Sequence, residues 1–154
     1  MDNDISLLRR CIEDRSPILL LGAGFSLGAK GRNGQKLMLG GALAQRLYEE
    51  IIIPNKDLLT EEALDTASLA KKWGNLFAIC NVIRENNLTT QRDTLFQEWM
   101  SECTYNDAPY FSNLIKVDWK YIFTLNIDDL VEHIFKNEGH PLLCWKLSSE
   151  RYAD

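Results

Sequence analysis

Three polar side chains spaced two apart, Thr124, Asn126 and Asp128, follow the apolar run Tyr121-Ile122-Phe123. A Gly22-Ala23-Gly24-Phe25-Ser26 turn follows the earlier run Ile18-Leu19-Leu20-Leu21. Each set has a chemistry of its own. Glycines at the exit of a strand let the backbone turn sharply and let a pyrophosphate come close, with amides facing its negative charge. Asn126 offers a donor and an acceptor in one small group, and Asp128 offers charge and acceptor oxygens. That pair suits cleavage of an N-ribosyl bond, where the sugar turns cationic and gains from an oriented carboxylate and a positioned water.

Simpler uses exist for both. The glycine turn could serve only tight packing between a strand and a helix, and Ser26 could cap a helix start. Asn126 could likewise cap the helix that follows it, with Asp128 and Asp129 complementing the dipole in its first turn. Two such motifs at two strand exits favour a single nucleotide pocket, since ligands of open parallel sheets bind at those strand ends. The dehydrogenase fingerprint is incomplete. Its third glycine would fall on Leu27, with Gly28 one place late, and Glu49 and Glu50 lie inside a predicted helix rather than at a strand end. An NAD(P)-dependent oxidoreductase is therefore a weaker alternative. Ser26 is not set in the Gly-x-Ser-x-Gly elbow of hydrolases, which disfavours a nucleophilic serine.

Taken together, Gly22-Ala23-Gly24-Phe25-Ser26 and Thr124-Leu125-Asn126-Ile127-Asp128 resemble the two signatures of the sirtuin-like superfamily. The closest likeness is to its zinc-free, NAD-consuming bacterial branch, which acts in antiphage defence. The resemblance spans Pro17 to about Lys136, and only these two islands are specific. It implies that Gly22, Ala23, Gly24, Phe25 and Ser26 hold the phosphates and adenosine side of NAD. It also implies that Asn126 and Asp128 line the nicotinamide–ribose end as the catalytic residues. The activity implied is NAD+ glycohydrolysis to nicotinamide and ADP-ribose. The alternatives are a non-catalytic module that binds NAD or ADP-ribose, and an NAD-dependent protein deacylase. Deacylating relatives carry paired zinc cysteines and a Pro-Asp-Phe-Arg stretch, and this chain has neither, so no zinc is expected. The family's catalytic histidine follows the asparagine motif on a later strand. His140, in a Gly139-His140-Pro141 setting, reads as a loop residue, and His133 as a surface residue of a helix. The resemblance thus implies an N-terminal part of such a domain, with a sensor domain, partner protein or homo-oligomer as possible control.

The elements that must position these motifs read as α/β: a Rossmann-like parallel sheet with flanking helices in one domain, 1–154, incomplete at its C-terminal end. Ile18 to Leu21 predicts a strand buried on both faces. Leu37 to Ile53 predicts a helix from the spacing of Leu39, Ala42, Leu43, Leu47 and Ile51, and Pro54 ends it. A helical insertion is expected over about 55–116, opened by Thr60-Glu61-Glu62 and continued by helices near 75–84, 90–100 and 110–115. Lys120 to Leu125 predicts the second strand, Ile127 to Lys136 a helix, and Pro141 to Leu147 the start of a third strand. A lead-in helix is expected over Asp2 to Asp14.

Composition narrows the classes. Hydrophobic residues make up 45% and charged residues 25% of 154, enough for a packed core without disorder. A net charge of −5 gives no electrostatic reason to bind nucleic acid. Cys11, Cys80, Cys103 and Cys144 stand singly, so neither a zinc ribbon nor a redox pair is available, and four inert buried thiols in a reducing cytoplasm are expected. The acidic start and the short apolar run at 18–21 predict neither a signal peptide nor a membrane span.

Overall fold

The computed structural model describes residues 6–7, 9–10, 13–14, 17–105 and 109–143. Strands β1 (Ile18–Leu21) and β2 (Tyr121–Thr124) pair in parallel, with Ile18 opposite Tyr121 and Leu21 opposite Thr124. Hydrogen bonds from Lys120 N to Pro17 O and from Leu125 N to Leu21 O prolong the ladder at both ends. Between the strands run α1 (Gly40–Leu47), α2 (Glu61–Lys72), α3 (Leu76–Glu85), α4 (Thr89–Met100) and α5 (Pro109–Leu114); α6 (Leu130–Asn137) follows β2. The result is a mixed α/β fold with a two-stranded parallel sheet and flanking helices.

Local signals account for the helix starts. Thr60 Oγ1 accepts the Ala63 amide at 3.2 Å, which begins α2 as the sequence predicts. Asn75 Oδ1 accepts the Ala78 amide at 3.1 Å, capping α3 from just before the helix rather than opening it. Glu61 and Glu62 stand in the first turn of α2, and Lys71 and Lys72 in its last, both favourable to the helix dipole. The α2–α3 turn presses on α1: a β-carbon at Gly74 would lie 3.1 Å from the Gly41 Cα. Helix α1 continues as a π-helix over Tyr48–Ile52, in which Ile51 and Ile52 are both fully buried. The core gathers Leu43, Leu47, Ile51 and Ile52 with Ile79 and Ile83 of α3, and Leu130 and Ile134 of α6.

Three expectations need correction. The first strand is not buried on both faces: Ile18 and Leu20 are 59% and 66% exposed, and so are Tyr121 and Phe123 opposite them at 56% and 55%. Alternate residues of a strand point to opposite faces, so only the Leu19, Leu21 and Ile122 side meets the helices. Helix α1 begins at Gly40, three residues later than predicted, because the Leu37 amide bonds to Ala29 O and holds that segment extended. Helix α6 begins at Leu130 rather than Ile127, because the Asp128 carboxylate takes the Leu130 amide at 3.3 Å and forms a turn before it. Gly139, at φ +78°, ends α6.

Residues 141–143 form no strand, and the remainder of the predicted third strand lies outside the described residues. The same holds for most of the lead-in helix, of which residues 6, 7, 9, 10 and 13 are helical. No described helix is long and apolar enough to cross a membrane.

Candidate functional site

The two polar motifs meet. The Ser26 hydroxyl donates to Asp128 Oδ1 at 3.0 Å and accepts from Asn126 Nδ2 at 2.8 Å. Ser26 is the one buried polar residue of the described core, at 3% exposure. Its burial is tolerated because both its donor and its acceptor are satisfied. Asn126 is therefore not the helix cap that its position also allowed. Its amide N–H is held by Thr124 Oγ1 at 3.0 Å while its side chain reaches the glycine turn. Asn126 Oδ1 is buried without a hydrogen-bond partner among the described residues.

The glycine turn takes its shape from three short-range bonds. Phe25 N donates to Gly22 O at 2.9 Å, Leu27 N to Gly24 O at 3.4 Å and Ala29 N to Ser26 O at 3.2 Å. No helix follows at once, in contrast to a strand–turn–helix dinucleotide motif. The chain instead forms bridges that pair Lys30 with Lys36 and with Thr104. Aromatic side chains of α5 hold the turn from one side. Tyr110 Oη donates to Leu27 O at 3.0 Å, and the Phe111 ring meets the Phe25 ring edge-on at 5.5 Å.

Beside the motifs lies a cavity of ≈ 210 Å³. Ala23, Ser26, Asn126 and Asp128 line it, with Leu125 and Ile127; its further wall is Leu37, Met38, Gly40 and Leu43, closed by Leu76 of α3 and Met100 of α4. Of the predicted phosphate-binding residues, Ala23 and Ser26 reach this cavity. Gly22 and Gly24 lie exposed outside its lining, and Phe25 turns to the α5 aromatics. The wall residues Leu37, Met38, Leu76 and Met100 carry no motif, and only the fold brings them to the site.

Burial in this apolar setting raises Asp128 above the ordinary aspartate value, against the lowering pull of the Ser26 hydroxyl and the Leu130 amide. Its neighbour Asp129 shifts the other way. Burial pushes it up, but the amides of Cys103 at 3.0 Å and Glu102 at 2.8 Å, with His133 beside it, hold it lower overall. The signs follow from linkage. A raised folded-state value means that ionised Asp128 costs stability near neutrality, and the cost is relieved as pH falls through that value. A lowered one means that Asp129 stabilises above its unfolded value and loses this as pH falls through the folded value. Asp128→Asn should therefore raise the urea midpoint at about pH 7 and Asp129→Asn should lower it. The Asp128 difference should shrink toward about pH 4, whereas the Asp129 difference should largely persist there and fade only at lower pH. Urea titrations at the two pH values check this.

The histidines stand apart from the cavity. His133 Nε2 lies 3.4 Å from Asp129 Oδ2 and is half-buried rather than a free surface group; His140 is an exposed loop residue. Cys103 is buried and its thiol is pushed far up by burial and the adjoining Asp129, whereas Cys80 is only half-buried; Cys11 and Cys144 lie outside the described residues. No group of three or more His, Cys, Asp or Glu among the described residues is placed to hold a metal ion. Comparison with protein-family models, curated proteins and solved structures finds no match to this chain.

Proposed function

We propose that the chain is a nucleotide-binding domain for NAD+, and that the reaction of its site is NAD+ glycohydrolysis. In that reaction the ribose–nicotinamide bond breaks, water adds to the ribosyl cation, and nicotinamide, ADP-ribose and a proton result. Open space at Gly22 and Gly24 carries this reading. A β-carbon on either would meet nothing within 4 Å, and neither has a positive φ. Neither packing within the protein nor backbone strain asks for glycine there, unlike Gly31 and Gly74. Close approach by a ligand does.

The cavity is below the roughly 300–1,000 Å³ of pockets that enclose a whole ligand. It suits one ring and its sugar, with the pyrophosphate lying across the exposed glycines. Asn126 would position the ribose and water, and Asp128 would face the nicotinamide end. Apolar walls strengthen the pull of a carboxylate on a developing cation by excluding water. The reading implies a cytoplasmic protein in antiphage defence, kept inactive by a sensor domain, a partner or self-association. A second reading is favoured by the placement of the two histidines, neither of which lines the cavity: a module that binds NAD or ADP-ribose without turnover.

Incubation with NAD+, followed by release of nicotinamide and ADP-ribose, separates these. The expected result is turnover that falls by about 100-fold or more in Asn126→Ala. Binding without turnover would select the second reading, and NADH as product would restore the oxidoreductase. A folded chain that neither binds nor cleaves NAD+ would overturn both readings.

A further inference from the structure

Asp129 follows the proposed ligand residues and reads, in sequence, as a helix-dipole acid. Its side chain does something else. It makes no capping hydrogen bond to α6; its Oδ2 accepts the Glu102 amide at 2.8 Å and its Oδ1 the Cys103 amide at 3.0 Å. Its own amide donates to Met100 O at 3.3 Å. Glu102 is held at φ +51°, in the left-handed region that few residues other than glycine adopt. Two successive amides turned inward around such a residue form a concave anion receptor, and Asp129 fills it.

The bend that Asp129 grips has two connections to the cavity. Met100, at its start, is part of the cavity wall. Thr104, at its end, exchanges both backbone hydrogen bonds with Lys30 at 2.8 Å each, and so reaches the loop that continues from the glycine turn. Asp129 therefore ties the Asn126–Asp128 turn to the bend after α4, and Thr104 ties that bend to the loop after Ser26.

We propose that Asp129 is the positioning residue of this site, locking the 100–104 bend to the Asn126–Asp128 turn so that Ser26, Asn126 and the Met100 wall stay in register. Its consequence for NAD rests on the reading above, but the register itself is a property of the free protein. Asp129→Asn keeps the shape of the side chain while replacing one acceptor by a donor that faces an amide N–H. Glu102→Gly removes the left-handed strain and forgoes only an exposed ion pair to Arg32 at 3.6 Å. The double variant therefore separates a bend that folds from a bend that is gripped.

The test follows the Asn126 side-chain NH2 resonances, identified by their loss in Asn126→Ala, together with the melting temperature and the NAD dissociation constant. In Asp129→Asn we expect a Tm lower by about 5 °C, displaced Asn126 resonances and NAD affinity weaker by about tenfold. With Glu102→Gly added, Tm should return while the resonances and affinity do not. Return of all three would reduce Asp129 to a folding contact and overturn the proposal, as would unchanged Asn126 resonances in the single variant. If that variant does not fold, the double variant is read in its place; failure of the double to fold would equally overturn a role separable from folding. Wild-type protein that ignores NAD would count against the nucleotide reading and leave the resonance result to judge Asp129.

Discussion

Gly31→Ala is expected to abolish cooperative folding or lower stability by about 4 kcal/mol or more, a Tm loss of roughly 10 °C or greater. A β-carbon at Gly31 would lie 1.9 Å from Trp99 O and 2.6 Å from Trp99 C. The obstacle is the backbone of the last turn of α4, which cannot rotate away as a side chain can. Either that turn or the 29–37 loop must move. Moving the loop breaks the bonds of Lys30 to Thr104 and of Asn33 N to Glu98 O. Natural domains have only about 5–15 kcal/mol to lose. Differential scanning calorimetry gives the answer, and a Tm within 3 °C or so of the parent would show that the loop and helix are not seated as described.

The second large effect falls on binding alone. Gly22→Ala and Gly24→Ala, separately or together, should leave Tm unchanged or slightly raised, because each added methyl meets open space and restricts the unfolded chain. Each should nevertheless weaken NAD binding by about 100-fold, roughly 2.7 kcal/mol, by displacing a pyrophosphate from the backbone. Calorimetric titration with NAD+ measures this. Full affinity in both alanine variants would remove the observation on which the nucleotide reading stands. The two experiments together contrast a glycine kept for the fold with glycines that the fold does not require.

Elements with local causes were legible in the sequence. Thr60 and Asn75 sit just before their helices with amides in reach, and the β-branched and aromatic run around Ile122 suits a strand wherever it is placed. The misplacements come from hydrogen bonds and packing that apolar spacing does not encode. Leu37 and Met38 fit the apolar spacing of α1, but pairing with Ala29 pulls Leu37 out of the helix and both into the cavity wall. Ile127 fits the spacing of α6, but the Asp128 side chain intercepts the Leu130 amide. The run Ile18 to Leu21 carries no mark to distinguish a strand covered on one face from one covered on two. Within the site, Ser26, Asn126 and Asp128 could be named from residue type and spacing. That one hydroxyl joins them could not, since a capping asparagine and a ligand-facing asparagine look alike until the partner is known. Leu76 and Met100 were the least accessible, being apolar helix positions that any core would use.

The bonds from Ser26 to Asp128 and from Asn126 to Ser26 close loops of 102 and 100 residues, and the parallel pairing of β1 with β2 closes loops of similar length. Such non-local closures place folding on the slow side, since chain entropy is lost long before the contacts repay it. A nascent chain on the ribosome can form the α2–α3 hairpin early, yet it owns no pocket until residue 128 has emerged. On the proposed NAD+ hydrolysis, synthesis would then be a silent interval, with the hazard arriving only when β2 docks.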